Sequence, residues 1–399
     1  MFKPATVLEE IMHILVMTRV MPIHSFGGMQ KQTMDLCEGF QLAGHKVTIF
    51  TTRRNDGVEF EEHKGVEIHF LSPSKPGYYG HGWKKACQEK IRELHAKTPI
   101  DVIHSQSLGA RYVINWARKN DVPIVSTWHG TSLTEISTFF SSASKHPRYW
   151  HWFFIMPFRM LKQYFTMDLP VRRASRIVTL VSPTLENNMK LFVQDNVVTI
   201  PNGIAVPKAQ ALVEHNKIEM ICLGRIEKEK GMHLAVRALS KLNLDELEKI
   251  HLNIVGEGPH LQSIRDLVGR LNLAHYITCH GRLNDEDLDA LFHRCQIHIM
   301  PTTRQEGLPL TILEGMSYGL TTIASGIGGI SGVITHGFDG FLTQPANLEE
   351  LARELANVIN DDELRRTTGQ NARRTIMEKY SKERMVSETL HEIISVVKS

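Results

Sequence analysis

Short apolar runs alternate along the chain with longer stretches whose apolar residues recur every three to four positions. His13-Ile14-Leu15-Val16-Met17 predicts a buried strand. A loop ending at Gly27-Gly28 follows, then an amphipathic helix over residues 29–43, which Gly44 stops. Residues 45–50 predict the next strand, and residues 101–104, 123–126 and 177–180 three more, with helical segments between them. Apolar runs without the polar alternation of a half-wet sheet belong to parallel sheets covered on both faces.

The pattern breaks at Pro201-Asn202-Gly203 and stays polar and irregular to residue 217, which predicts a linker. Alternation then restarts. Residues 219–223, 251–255, 276–279, 297–300 and 321–324 read as strands, residues 259–271 and 309–319 as helices, and the chain from Asn347 onward as helix. The expectation is an α/β fold of two Rossmann-like, doubly wound domains facing each other across a cleft. Residues 1–206 form the first and 207–380 the second, with a terminal helix near 381–399 packing back on the first. Open parallel sheets bind ligands beyond the carboxyl ends of their strands, so such a cleft collects the loops that follow each strand.

Composition narrows the class. The chain has 399 residues, 42% apolar and 22% charged, which suits a multi-domain globular protein and argues against bulk disorder. A net charge of +3 is too small for a nucleic-acid binder working by bulk charge. The five cysteines are scattered without a CxxC pair, so reduced thiols are expected rather than a disulfide framework or a structural zinc site. Glu9 and Glu10 interrupt any signal-peptide core, and no run of 18 apolar residues occurs. A cytoplasmic location follows as the expectation.

Four clusters carry candidate chemistry. In Glu306-Gly307-Leu308-Pro309-Leu310-Thr311-Ile312-Leu313-Glu314, Pro309 suits the first helical position, and the helix aims unpaired amides into the cleft. Glu314 then lies five residues in, about 7.5 Å along the axis, so two carboxylates can grip different parts of one extended polar ligand. A loop glutamate plus a helix-surface glutamate is the plainer alternative. Arg225 and Lys230 follow the first strand of the second half and can neutralise a diphosphate, although Glu227 and Glu229 between them also fit a solvated turn. Gly27 and Gly28 follow the first strand, where backbone amides can approach phosphate or simply turn. His129 ends another strand, as a functional or a structural histidine.

Together these clusters resemble the retaining GT-B glycosyltransferases of the family 4 type, over nearly the whole chain. The opening strand with its Gly-Gly loop, Ile200-Pro201-Asn202-Gly203, Gly224-Arg225 with Lys230-Gly231, Val255-Gly256-Glu257-Gly258-Pro259 and the paired glutamates Glu306 and Glu314 carry the resemblance. It implies transfer of a sugar from a nucleotide-sugar, expected to be a UDP-sugar, to an acceptor hydroxyl with retention, in surface polysaccharide or glycolipid synthesis. By that likeness Arg225 and Lys230 hold the diphosphate. Glu306 and the backbone of Gly307, Leu308 and Pro309 contact the donor sugar, and Glu314 takes the ribose hydroxyls. Gly256 belongs to the donor-domain opening, the backbone near Arg282 holds the base, Gly27 and Gly28 approach the phosphate, and His129 sits near sugar and acceptor. Ile204-Ala205 and Ser331-Gly332 depart from the family pattern and leave sugar identity open. A UDP-sugar epimerase or hydrolase, a binding module without turnover, and transfer to a soluble small molecule are the alternatives.

Asp285-Glu286-Asp287 and Asp287-Leu288-Asp289 mimic a metal-binding DxD. They follow Asn284, a natural helix cap, and acids in a first turn favour the helix dipole. No metal and no cofactor are expected. Residues 139–176 hold 10 of the chain's 29 aromatics and seven Lys/Arg against one acid, Asp168. That mixture suits peripheral contact with an anionic membrane, at its inner face, and a lipid-linked acceptor; an acceptor lid or ordinary core fits it too.

Overall fold

The computed structural model describes residues 10–24, 27–130, 132, 150–182, 196–208 and 216–399. It contains two sheets. The first comprises β1 (His13–Met17), β2 (Lys46–Thr52), β3 (Phe60–His63), β4 (Val66–Leu71), β5 (Val102–Gln106), β6 (Ile124–Trp128), β7 (Ile177–Leu180) and β8 (Val197–Thr199), in the order β3-β4-β2-β1-β5-β6-β7-β8. All neighbours are parallel except β3 and β4. The second comprises β9 (Ile218–Leu223), β10 (Ile250–Val255), β11 (Ile277–Gly281), β12 (Cys295–Met300), β13 (Thr321–Ser325) and β14 (Phe341–Thr343), all parallel, in the order β11-β10-β9-β12-β13-β14. The expected pair of doubly wound domains is observed. Strands β1, β5 and β6 are buried at every position, as the unbroken apolar runs require.

The strand order locates the crevices. The first sheet winds outward from β1 toward β3, then returns to add β5 on the other side of β1. The second winds from β9 toward β11, then returns to add β12 beside β9. Each reversal leaves a gap at the strands' carboxyl ends, where ligands of such sheets lodge. Residues 18–24 and 27–28 follow β1, and residues 224–231 and 301–309 follow β9 and β12. All three segments therefore open on these gaps.

The two halves are joined by apolar packing. One buried cluster includes Leu15, Met17 and Trp128 of the first sheet together with Met300, Leu308, Leu310 and Ile312 of the second half. The terminal helix Lys382–Lys398 lies on the first sheet, with Met385, Ile393 and Val396 in the core beside Leu36 and Phe40. Its first turn is pinned there by Lys382, which pairs with Asp35 at 2.7 Å and Glu38 at 3.3 Å. Chain crossings between the halves meet at the Ile204–Ser381 bridge.

Two local readings change. Pro309 is the cap (φ −72°, ψ 125°) of the helix Leu310–Ser317 and not its first residue; its fixed φ and missing N–H suit either position, and its ψ stays extended. Tyr164 and Arg172, two of the rings and cations of residues 139–176, belong to ordinary core: they are buried at 0% and 1% and bond to each other at 2.7 Å. A guanidinium that finds a phenol oxygen and a ring face can be taken into the core. Side chains of residues 139–154 lie outside the described ones.

Candidate active site

The loops after β9 and β12 are built as one unit. The Thr303 amide donates to the Glu229 carbonyl at 2.8 Å, and the Thr302 hydroxyl donates to the same oxygen at 3.0 Å. Their closeness demands glycine at Gly231. Its φ is +75°, and a Cβ there would lie 1.9 Å from the Pro301 carbonyl oxygen. Gly256 is similarly constrained, with φ +138° and a would-be Cβ 1.9 Å from the Gly224 carbonyl oxygen. Gly256 therefore shapes the backbone after β9 and β10.

Across this unit Lys230 Nζ donates to Glu306 Oε1 at 2.7 Å, with 17% and 13% of the two side chains exposed. A pair so withdrawn from water recovers little net stability, because desolvation offsets the attraction. Its effect is positional: it holds an ammonium and a carboxylate in fixed relation at the β9–β12 gap. Lys230 retains N–H donors beyond the one directed at Glu306. Arg225 is different. It is 56% exposed and donates to Glu227 at 2.6 Å, so the structure does not bring it to Glu306.

The Glu306–Pro309 loop is held from three sides. The Gly329 amide donates to the Glu306 carbonyl at 2.8 Å. Leu308 is buried in the shared core. Asn202, itself buried, donates from Nδ2 to the Leu308 carbonyl at 3.0 Å. Gly307 stays half-buried beside Leu308. Glu314 is the fifth residue of the following helix, as the spacing predicts, and its Oε1 accepts from Lys31 Nζ of the other half at 2.6 Å.

From the first sheet, Gly27 caps the helix Gly28–Leu42, and Gly28 approaches Leu310 so closely that a Cβ would sit 3.2 Å from its Cγ. The glycine loop thus lies against the start of the paired-glutamate helix. His129, after β6, meets Gln106 Oε1, at the end of β5, through Nε2 at 3.0 Å. With the amide oxygen as acceptor, the ring proton lies on Nε2. Burial pushes the His129 pKa down to about 4, so the ring is a neutral hydrogen-bonding group near pH 7. Arg282 follows β11, two strands away from the β9–β12 gap, and is exposed. Asp285–Arg294 is a helix capped by Asn284, whose Oδ1 accepts from the Asp287 amide at 2.8 Å.

Lys31, Gln106, Asn202, Thr303 and Gly329 escape a motif reading as contributors to this region. Asn202 sits in a quoted Pro-Asn-Gly turn whose tertiary contact no local signal discloses. Lys31 stands three residues after Gly28, and only the position after a strand-terminal glycine loop could have drawn attention to it.

The architecture matches solved sugar transferases. HepE of Anabaena in complex with UDP and glucose aligns with a TM-score of 0.73 at 16% identity, covering 96% of this chain and 100% of that one. Two doubly wound sheets with opposed crevices define the GT-B class of glycosyltransferase. The model for Glycosyltransferase Family 4 matches residues 26–206, and that for Glycosyl transferases group 1 matches residues 207–375. The chain belongs to the glycosyltransferases of this family 4 type. An uncharacterized glycosyltransferase of Methanocaldococcus jannaschii is 24% identical over 95% of this chain and 97% of its own length. The N-acetyl-alpha-D-glucosaminyl L-malate synthase of Bacillus anthracis is 24% identical over 88% of this chain and 90% of its own.

Proposed function

We propose that the enzyme moves a sugar from a UDP-sugar to an acceptor hydroxyl with retention of configuration and without a divalent metal. The observation that carries this is the Lys230–Glu306 pair at the β9–β12 gap, opposite the Gly27–Gly28 loop. In this reading the diphosphate lies along Lys230 and Arg225, which leaves Glu227 to take it. Glu306 and the backbone of residues 307–309 face the sugar, and Glu314 takes the ribose. The likeness to a UDP complex supports uracil as the base. The leaving diphosphate draws the acceptor proton, and fixed positive charge stabilises the departing phosphate. His129, neutral, hydrogen-bonds sugar or acceptor.

The test is release of the nucleoside diphosphate, UDP or GDP, from a panel of UDP- and GDP-sugars, with and without acceptors, in EDTA and in magnesium. Acceptor-dependent release that survives EDTA is expected. Release without an acceptor would make the enzyme a hydrolase, a new nucleotide-sugar without release would make it an epimerase, and neither with any donor would make it a binding module.

A lipid-linked acceptor has its own support. The helix Trp150–Gln163 and the turn after it expose Ile155, Phe158, Leu161 and Phe165, with Phe158 71% and Phe165 51% accessible. Arg159, Lys162, Arg173 and Arg176 are exposed along the same segment. Rings beside cations match the interface of an anionic membrane. Among the described residues no helix is long and apolar enough to cross one.

A further inference from the structure

One charge at the cleft has no part in the scheme above. Lys31 stands in the first turn of the helix Gly28–Leu42, and its ammonium donates to Glu314 Oε1 at 2.6 Å, across 283 positions of sequence and from one sheet's helix to the other's. Glu314 is 15% exposed and Lys31 52%. Burial alone would lower the Lys31 pKa, but Glu314, with Asp35 and Asp285 behind it, raises it above the ordinary lysine value, so the group remains an ammonium. The helix bearing it is anchored one turn further on, where Asp35 pairs with Lys382 at 2.7 Å. Lys31 is therefore presented to Glu314 from a fixed support.

Two vicinal ribose hydroxyls gripped by one carboxylate draw on both of its oxygens, and here the Lys31 ammonium takes one of the acceptor sites of Oε1 and balances its charge. We propose that Lys31 is a positioning residue that occupies the Glu314 carboxylate in the nucleotide-free enzyme and is displaced by the ribose, so that the contact between the two halves and the nucleotide compete for one group. This rests on the reading of Glu314 as the ribose ligand. The competition is mild, because an ion pair with a half-exposed partner is worth little in water. It therefore tunes donor affinity and does not block the site.

Calorimetry with UDP on the full-length enzyme tests it. Lys31→Met should bind UDP about two- to five-fold more tightly, the factor that corresponds to the usual strength of an exposed pair. Lys31→Arg should bind as the wild type does. In a Glu314→Gln background Lys31→Met should bring no gain, and in turnover it should lower the donor KM more than it changes kcat. Equal or weaker UDP binding by Lys31→Met overturns the proposal, the weaker case making Lys31 a direct ligand of the nucleotide. If Glu314→Gln binds UDP as tightly as wild type, the ribose reading itself fails. If Glu314→Gln is weakened and Lys31→Met is unchanged, only the competition fails.

Discussion

The second sheet supplies its part of the cleft as one pre-assembled piece, whereas the first supplies single groups from separate strands. After β9 and β12, Thr303 and Thr302 bond to Glu229, Gly231 lets the backbones touch, and Lys230 pairs with Glu306. These partners come from two loops, and Gly329 and Asn202 brace the second of them from outside. On the opposite wall Gly28 comes from the loop after β1, Gln106 from β5 and His129 from the loop after β6, and Lys31 reaches a carboxylate of the other half. A wall stitched to itself can hold charge in place before a ligand arrives. A wall assembled from scattered strands depends on the whole sheet, and changes there should spread their effects more widely.

Breaking the stitched wall should have the largest effect. Lys230→Ala should lower kcat by about 100-fold or more, as loss of an oxyanion-stabilising donor does at about 2.7–4 kcal/mol, and it strands Glu306 as well. Arg225→Ala, at an exposed position, should cost less. Glu306→Gln should lower kcat while changing UDP affinity only about twofold, since the sugar and not the nucleotide changes character during transfer. Steady-state kinetics beside calorimetry checks all three, and an Arg225 effect exceeding that of Lys230 would break the distinction between the paired and the exposed cation.

Next comes pH, where the two sheets can be compared directly. Burial holds His104 and His129 of the first and His298 of the second at about 4. The unfolded chain takes up these protons near pH 6.5 and the folded chain only near 4, so the stability is complete above 6.5 and falls as pH drops toward 4. Each histidine can contribute up to about 3 kcal/mol to that fall. Neither ring nitrogen of His298 has a hydrogen-bond partner among the described residues. His298→Leu should therefore stabilise the protein by about 1 kcal/mol at pH 7 and flatten the acid limb of a urea-denaturation series. A steeper limb would mean that the ring has a partner in solution.

Smaller effects sharpen the contrast further. Glu314→Gln should weaken UDP binding about tenfold with a lesser change in kcat, because a ribose grip serves ground and transition states alike. The last comparison lies on the first half alone. Sedimentation with phosphatidylglycerol vesicles should carry the enzyme down at low salt and release it at high salt. Arg159→Glu with Lys162→Glu should remove this, at about 1 kcal/mol per cation, with UDP binding unchanged. Protein left in the supernatant at low salt would assign Phe158 and Phe165 to an acceptor lid.

Sequence alone determined the alternation of strand and helix, the two doubly wound units, the helix after Pro309 and the spacing of Glu306 and Glu314. These follow from periodicity and from turn chemistry carried by adjacent residues. Short or polar edge strands were harder. Phe60-Glu61-Glu62-His63 is too polar to read as a strand, and β3 pairs only through the tight Lys64-Gly65 turn, where both residues have positive φ. The alternation in Val66-Glu67-Ile68-His69-Phe70 marks its partner β4, which a search for unbroken apolar runs passes over as well. Tertiary structure alone decided that Lys230 meets Glu306 while Arg225 turns to Glu227, that Asn202 holds the Leu308 carbonyl, and that Lys31 reaches Glu314. A local pattern specifies which face of an element is buried. It carries no information about which charge, hundreds of residues away, that face will meet, because such a contact depends on how two separately wound sheets are set against each other by a core they share.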